Sequence, residues 1–323
     1  MLASPEPCAM ARRPPECVAP VGDRCGEGVM WHTSDASVFW CDVLRFLIHR
    51  FDPVKKTVQS WQFEVPVVGL APTQSPDVLV VALGDRVVLW NWVLDTPIKT
   101  LFTLGTWPAV RINEARADPL GHFWIGTMKN NVLPNGELCQ GGPGMGELLR
   151  IAPDLSVTRW RADIGIANTL CWAKDRLHFY FGDTLANTLR VYDYDPNGDV
   201  SNEQAFFTGF SRGLPDGSAI DVDGYLWNCR FGGACIVRIA PSGAIDRVIE
   251  MPEENITSCC FGGPDMKSLY VTTAAFNRRS GDRLAGSRNN PRRRRPRTAV
   301  SGSRRKRESV HHSNYLPIIY KCI

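Results

Sequence analysis

Short runs of β-branched and aromatic residues recur along the chain at intervals of roughly 40 to 56 residues, often directly after a turn sequence. Most are followed by a second such run that itself ends in a turn, and no segment has the 3.6-residue periodicity of an amphipathic helix. The recurring runs are Val38–Trp40, Leu79–Val81, Phe123–Ile125, His178–Tyr180, Tyr225–Trp227 and Ser268–Val271. The pattern predicts an all-β protein.

The repeat length favours a six-bladed β-propeller. Six units of three or four strands each fit radial repetition, in which every unit becomes one blade. A β-sandwich with accidental periodicity stays open as the alternative, although its turn signals would not carry a period near 45 residues. We therefore expect residues 21–287 to form the propeller, after an N-terminal extension at 1–20.

The end of the chain has a different composition. Eleven of the 37 Lys and Arg residues, but only one acidic residue, fall between Arg288 and Ile323, so the rest of the chain is mildly acidic. The run Arg292–Arg295 and the run Arg304–Arg307 stand in a Ser- and Asn-containing background that cannot bury a core. We expect residues 288–323 to be an Arg-rich disordered tail.

Composition narrows the class of protein. The chain has 323 residues, 44% of them hydrophobic, which is ordinary material for a globular domain. It contains no apolar stretch of the length a membrane span needs, and no apolar core for a signal peptide near its start. Its 11 cysteines lack the regular pairs of a disulfide framework. We expect a cytoplasmic protein with free thiols and no membrane partner.

Candidate chemistry comes from the phase of polar residues within the repeat. Glu27, Asn113, Asn168 and Asp216 lie 11 to 13 residues before the aromatic residues Trp40, Trp124, Tyr180 and Trp227 of four units. Residues at one phase of a propeller repeat occupy equivalent places in successive blades. Each residue alone is typical of a turn, but the shared phase predicts that the four converge at one end of the central channel.

Carboxylate and amide oxygens are ligands for hard or borderline divalent cations such as Ca²⁺, Mg²⁺ and Mn²⁺. Three protein ligands would leave positions for water and for a substrate carbonyl. The sequence has no Gly-x-Ser-x-Gly elbow, His-Glu-x-x-His helix, Walker loop or dinucleotide-binding glycine motif. The oxygen ligands at the channel end thus favour a metal-assisted reaction over the chemistry of these other motifs.

The same residues resemble the motifs of the gluconolactonase, regucalcin and luciferin-regenerating enzyme family. The similarity runs in order from about Cys25 to Ser287. It is carried by Gly26–Trp31, by Arg111–Asn113 with Trp124–Met128, by Ile166–Leu170, by Gly213–Gly217 and by Thr257–Gly263. Thr169 stands where Gly is usual in the family, and Asn131 where some members have an acidic residue.

The resemblance implies a role for five residues. Glu27, Asn168 and Asp216 would bind one divalent metal ion, with Ca, Zn, Mn, Mg and Fe all left open. Asp216 would also act as the catalytic general base, and Arg111 and Asn113 would bind the substrate. The resemblance stops after Ser287, where the family would supply another apolar strand, so we expect an incomplete last blade.

The leading functional hypothesis is metal-dependent hydrolysis of a gluconolactone-like sugar lactone to the aldonic acid by a monomer. A non-catalytic propeller that binds a metal or a partner, inactivated by the altered C-terminus, is the alternative. The basic segment Arg288–Arg307 also raises a nucleic-acid or nuclear-import role, but the sequence offers no recognised module or interleaved aromatic residues for it.

Overall fold

A computed structural model describes residues 14–275 and the backbone of 319–322. These residues form 24 β-strands and no helix, which confirms the predicted all-β class. It follows that the described segments hold no helix capable of crossing a membrane. The cysteines of residues 14–275 are all free thiols, as expected.

The strands form six antiparallel sheets of four strands each. The first contains β2 (Gly26–His32), β3 (Ser37–Asp42), β4 (Leu47–Asp52) and β5 (Thr57–Gln62). The second contains β6 (Val67–Pro72), β7 (Val78–Leu83), β8 (Arg86–Asn91) and β9 (Thr96–Thr103). The third contains β10 (Val110–Ala117), β11 (Phe123–Lys129), β12 (Gly146–Ile151) and β13 (Val157–Ile164).

The fourth sheet contains β14 (Ala167–Trp172), β15 (His178–Asp183), β16 (Thr188–Tyr194) and β17 (Val200–Thr208). The fifth contains β18 (Leu214–Ile220), β19 (Leu226–Phe231), β20 (Cys235–Ile239) and β21 (Ile245–Glu250). The sixth contains β22 (Ile256–Gly262), β23 (Ser268–Thr273), β24 (Ile319–Cys322) and β1 (Glu16–Ala19).

The first strands of the sheets surround a common centre. Each of them contacts the first strand of the next sheet, in the order β2, β6, β10, β14, β18 and β22, and β22 contacts β2 again. The recurring hydrophobic runs of the sequence lie on the second strands, β3, β7, β11, β15, β19 and β23. This radial arrangement is a β-propeller and excludes the sandwich.

A tryptophan on the second strand donates its indole N–H to an aspartate in three of the sheets. The Trp124 indole N–H donates to Asp118 at 2.9 Å, and the carboxylate of Asp118 also accepts the backbone N–H groups of Leu120 and His122. Trp40 donates to Asp23 at 2.7 Å and Trp227 to Asp221 at 2.8 Å. These bonds satisfy the indole N–H groups. In the third and fifth sheets they also fix the second strand against the turn before it, whereas in the first sheet Asp23 lies before β2.

The prediction of an incomplete last blade is wrong, because the sixth sheet has four strands. Strand β24 pairs with β23 from Leu269↔Cys322 to Val271↔Tyr320, and β1 pairs with the other side of β24. Both strands lie in the segments that the sequence assigned to an extension and a disordered tail. An unpaired sheet edge needs a backbone partner, and that partner comes here from both termini rather than from the next residues in the chain. The tail residues 288–318 lie outside the described segments.

Candidate functional site

The four polar residues selected by their phase lie on the innermost strands of four sheets. Glu27 is on β2, Asn113 on β10, Asn168 on β14 and Asp216 on β18. Each lies at an irregularity in the pairing of its strand with the next, between Glu27 and Met30, Ile112 and Glu114, Asn168 and Cys171, and Pro215 and Ser218. A bulge redirects a side chain out of the regular alternation. The four residues share a position in the sequence repeat because each lies at a β-bulge on the inner strand of its sheet.

Three carboxyl groups interact at this end of the centre. Burial raises the pKa of Glu27 well above its usual range, and the charges of Asp216 and Glu114 raise it further. Burial likewise raises the pKa of Asp216 well above its usual range, and Glu114 adds to the effect. The pKa of Glu114 is raised mainly by its own burial. Each of these buried acids disfavours ionisation of the others, and a bound cation would stabilise their ionised forms.

Asp216 has an unsatisfied carboxylate oxygen. Its side chain is 5% exposed, and Oδ1 is buried without any hydrogen-bond partner. Buried polar atoms in folded proteins are nearly always paired, so an orphan oxygen at this place indicates a missing ligand or water. The Arg230 guanidinium lowers the pKa of Asp216, against the larger effects of burial and Glu114.

A hydrogen-bonded chain orients the amide of Asn168 toward use as an oxygen ligand. Asn168 Nδ2 donates to Thr184 Oγ1 at 2.8 Å, and Thr184 Oγ1 donates to the carbonyl oxygen of Pro215 at 2.8 Å. Since the nitrogen end is engaged, the oxygen end of the amide is the one available to a metal ion. The same chain ties Asn168 to the residue that precedes Asp216.

Arg111 and Asn113 are in direct contact. Arg111 Nη1 donates to Asn113 Oδ1 at 2.8 Å, and Asn113 Nδ2 donates to the carbonyl oxygen of Ala167 at 3.0 Å, next to Asn168. Arg111 Nε and Nη2 both donate to Asn131 Oδ1, at 3.1 and 2.9 Å. Burial lowers the pKa of Arg111 to about 10, so the group remains a cation at neutral pH.

Sequence reasoning missed three residues of this site: Glu114, Thr184 and Arg230. Glu114 directly follows Asn113, and its burial could have been suspected from the motif. Thr184 and Arg230 carry no repeat signal, because Thr184 acts through hydrogen bonds and Arg230 through its charge. Asn131, where some family members have an acidic residue, accepts hydrogen bonds from Arg111.

No three His, Cys, Asp or Glu side chains within the described segments are arranged to hold a metal ion. The candidate set instead combines two carboxylates, Glu27 and Asp216, with the amide oxygen of Asn168. A cavity of about 350 Å³ lies elsewhere, lined by Arg116, Cys171 and Ile220 among others. These residues are near the opposite ends of β10, β14 and β18 from the candidate ligands.

Fold and site together define a β-propeller with an acid-rich inner end. The family model described as "SMP-30/Gluconolactonase/LRE-like region" matches residues 25–275, and the chain belongs to this family. The chain is 34% identical over 252 residues to the Bacillus subtilis protein YvrE, which carries a provisional name as a sugar lactone lactonase. That match covers 77% of this chain and 83% of the relative.

Two solved structures are similar over most of the chain. A luciferin-regenerating enzyme has a TM-score of 0.77 at 26% identity, covering 97% of this chain and 95% of its own. Regucalcin from Agrobacterium tumefaciens, described as a calcium-binding protein, has a TM-score of 0.74 at 25% identity, covering 83% of this chain and 88% of its own. The family predicted from the motifs is thus confirmed.

Proposed function

We propose that the protein is a hydrolase that opens a sugar lactone to the aldonic acid with the help of one divalent metal ion. The observation that carries the proposal is the orphan Oδ1 of Asp216 among three interacting buried carboxyls, beside the oriented amide of Asn168. Membership of a family that includes gluconolactonases, and the relative named for lactone hydrolysis, support the reaction class.

The donor set fits a divalent cation. Glu27, Asn168 and Asp216 would hold it through oxygen atoms, and its charge would keep the two acids ionised despite their burial. When bound, such an ion polarises the lactone carbonyl. The description of the Agrobacterium relative as calcium-binding supports a divalent ion without selecting Ca²⁺ over Zn, Mn, Mg or Fe.

The side chains of the site would supply the general base and bind the substrate. Asp216, once ionised, accepts a proton from the water that attacks the lactone carbonyl carbon. Arg111 and Asn113 bind oxygen atoms of the sugar, and their mutual hydrogen bond fixes the spacing of the two groups. Each of the six sheets forms one blade in this proposal, and a single chain suffices for the site.

A metal-by-lactone screen tests the proposal. The purified protein is stripped with a chelator, reloaded separately with Ca²⁺, Mg²⁺, Mn²⁺, Zn²⁺ or Fe²⁺, and assayed on a panel of aldonolactones. Hydrolysis that depends on added metal is expected. Calorimetric metal binding without turnover on any lactone would instead support a non-catalytic metal-binding propeller, the function class to which the calcium-binding description of the relative also points.

A further inference from the structure

Arg111 is a buried cation whose contacts in the described part of the chain are all neutral. Arg111 is 5% exposed, and its guanidinium donates to the oxygen atoms of Ile112, Asn113 and Asn131. Two other shielded arginines pair with carboxylates, Arg50 with Asp35 at 2.5 Å and Arg238 with Asp221 at 2.7 Å. Arg111 forms no ion pair with a described residue, so its positive charge has no contacting counter-ion.

The hydrogen bonds of Arg111 leave it only partly satisfied. Two of its four bonds converge on one atom, Asn131 Oδ1, and one of the five N–H groups of a guanidinium has no described acceptor. Arg230, which also lacks a carboxylate partner, differs because it donates to five separate oxygens, those of Arg212, Asn228, Asn187, Phe210 and Gly213. Each guanidinium keeps one N–H without a described acceptor, on Nη1 in Arg230 and on Nη2 in Arg111, but Arg230 contacts five oxygen atoms of the fold and Arg111 only three.

A second cation, Lys129, lies on the neighbouring strand β11, opposite Val110, the residue before Arg111. The connection from β11 to β12, residues 130–145, folds back on its own start, so that Gly141 lies near Asn131 and Gly142 near the side chain of Lys129. Lys129 takes part in none of the ion pairs among the described residues. The one acid in the connection, Glu137, pairs with Arg24 at 3.1 Å and is therefore engaged away from both cations.

We infer that the site prefers lactones that carry a carboxylate on the exocyclic carbon of the sugar over lactones with a neutral hydroxymethyl group there. This inference rests on the proposed lactonase function. A planar carboxylate matches the guanidinium fork, and it would supply the counter-ion that the neutral amide of Asn131 does not. An acidic side chain at position 131 would provide that charge from the protein and remove the preference.

Two lactones with the same ring test the inference, D-glucono-1,4-lactone and D-glucaro-1,4-lactone, which differ by a hydroxymethyl group against a carboxylate. The metal-loaded full chain is expected to show kcat/KM about tenfold higher for the charged lactone, the size of one charge-assisted hydrogen bond. Asn131→Asp should bring the ratio of the two values to about one, mainly through KM for the charged lactone. Asn131→Ala, which removes the amide without adding charge, should keep the ratio high.

Lys129→Gln should lower the ratio by a smaller factor, since this ammonium group is the more hydrated of the two cations. Thermal melting of each variant checks that it folds. A wild-type chain that hydrolyses both lactones but favours the neutral one would overturn the charge preference and leave the lactonase function standing, as would an unchanged ratio in Asn131→Asp. Failure to hydrolyse any lactone would overturn the proposed function, and the inference with it.

Discussion

Thr169 Oγ1 donates a 2.5 Å hydrogen bond to the backbone carbonyl oxygen of Asp216, across the boundary between the fourth and fifth sheets. The same hydroxyl lies 2.9 Å from Ser218 Oγ and accepts from Asn228 Nδ2 at 3.3 Å. Thr169 adopts a φ of 54°, in the left-handed region that a β-branched residue rarely occupies. The family usually has Gly at this place, and the hydroxyl contacts explain how Thr is retained here despite the strain.

Thr169→Val is expected to destabilise the protein by about 1 to 3 kcal/mol, because it removes the hydroxyl and leaves buried polar partners unsatisfied. Thr169→Ser keeps the hydroxyl and loses one methyl group, so it should cost less than about 1 kcal/mol. Denaturant unfolding of both variants measures the difference. Equal stability of the Val and Ser variants would show that the hydroxyl does not hold the backbone of Asp216.

Asp216→Asn should reduce lactone turnover at saturating metal by at least about a hundredfold, the loss expected when a general base is removed. The amide preserves the shape of the side chain, so the melting temperature should change little. Saturating metal separates loss of the base from loss of a ligand. Near-wild-type turnover under these conditions would exclude Asp216 as the base.

Glu27→Gln should weaken metal binding more than it damages the fold, because one of two anionic ligands becomes neutral at constant volume. Activity should recover in part when excess metal is added. Titration calorimetry measures the affinity. An affinity equal to that of the wild type would contradict the assignment of Glu27 as a ligand.

The sequence predicted the repeat and the inner-strand positions well because both depend on local pattern. Aromatic anchors such as Trp124 and polar residues such as Asn168 recur at a fixed phase, and a propeller turns phase directly into position. The sequence could not show that Asn168 is oriented through Thr184, since that contact joins a residue of β14 to one in the turn after β15, with no periodic relation. Side-chain orientation depends on tertiary contacts, and the sequence pattern gives little information about those contacts.

The closing strand was missed for a related reason. The pairing of Glu16 with Lys321 joins residues at opposite ends of the chain, and nothing in either short segment signals the other. The four residues of β24 follow a segment dominated by basic residues, so the sequence pattern did not predict a strand there. The backbone groups left open on β23 were the better guide, because an open sheet edge requires a partner.

Without metal, the stability of the protein should fall as pH rises from about 4, the ordinary pKa range of a carboxyl group. Glu27, Glu114 and Asp216 have raised pKa values in the folded state, so the folded protein binds more protons than the unfolded chain above that range. The stability present below the unfolded pKa is therefore lost progressively until the raised folded values are passed.

Saturating divalent metal should flatten this dependence, and metal binding at pH 6 should release protons, measurable by calorimetry in buffers of different ionisation enthalpy. Glu114→Gln serves as the control variant, since it removes one of the three acids without removing a proposed ligand. Its metal-free stability should depend less on pH than that of the wild type. A metal-free protein equally stable from pH 5 to pH 8 would contradict the shifts.

Removing residues 319–323 should lower the melting temperature by about 10 °C, because each lost backbone hydrogen bond contributes about 1 kcal/mol and several are lost together. Strand β24 lies between β23 and β1, so its removal exposes the edge of β23 and leaves β1 without a partner. Starting the chain at residue 21 instead removes only β1, the outer strand, and leaves the β23–β24 pairing in place. The C-terminal truncation should therefore destabilise the protein more than the N-terminal one, as measured by thermal unfolding of metal-loaded samples. The reverse order, or no change on removing residues 319–323, would show that β24 does not close the sixth sheet in solution.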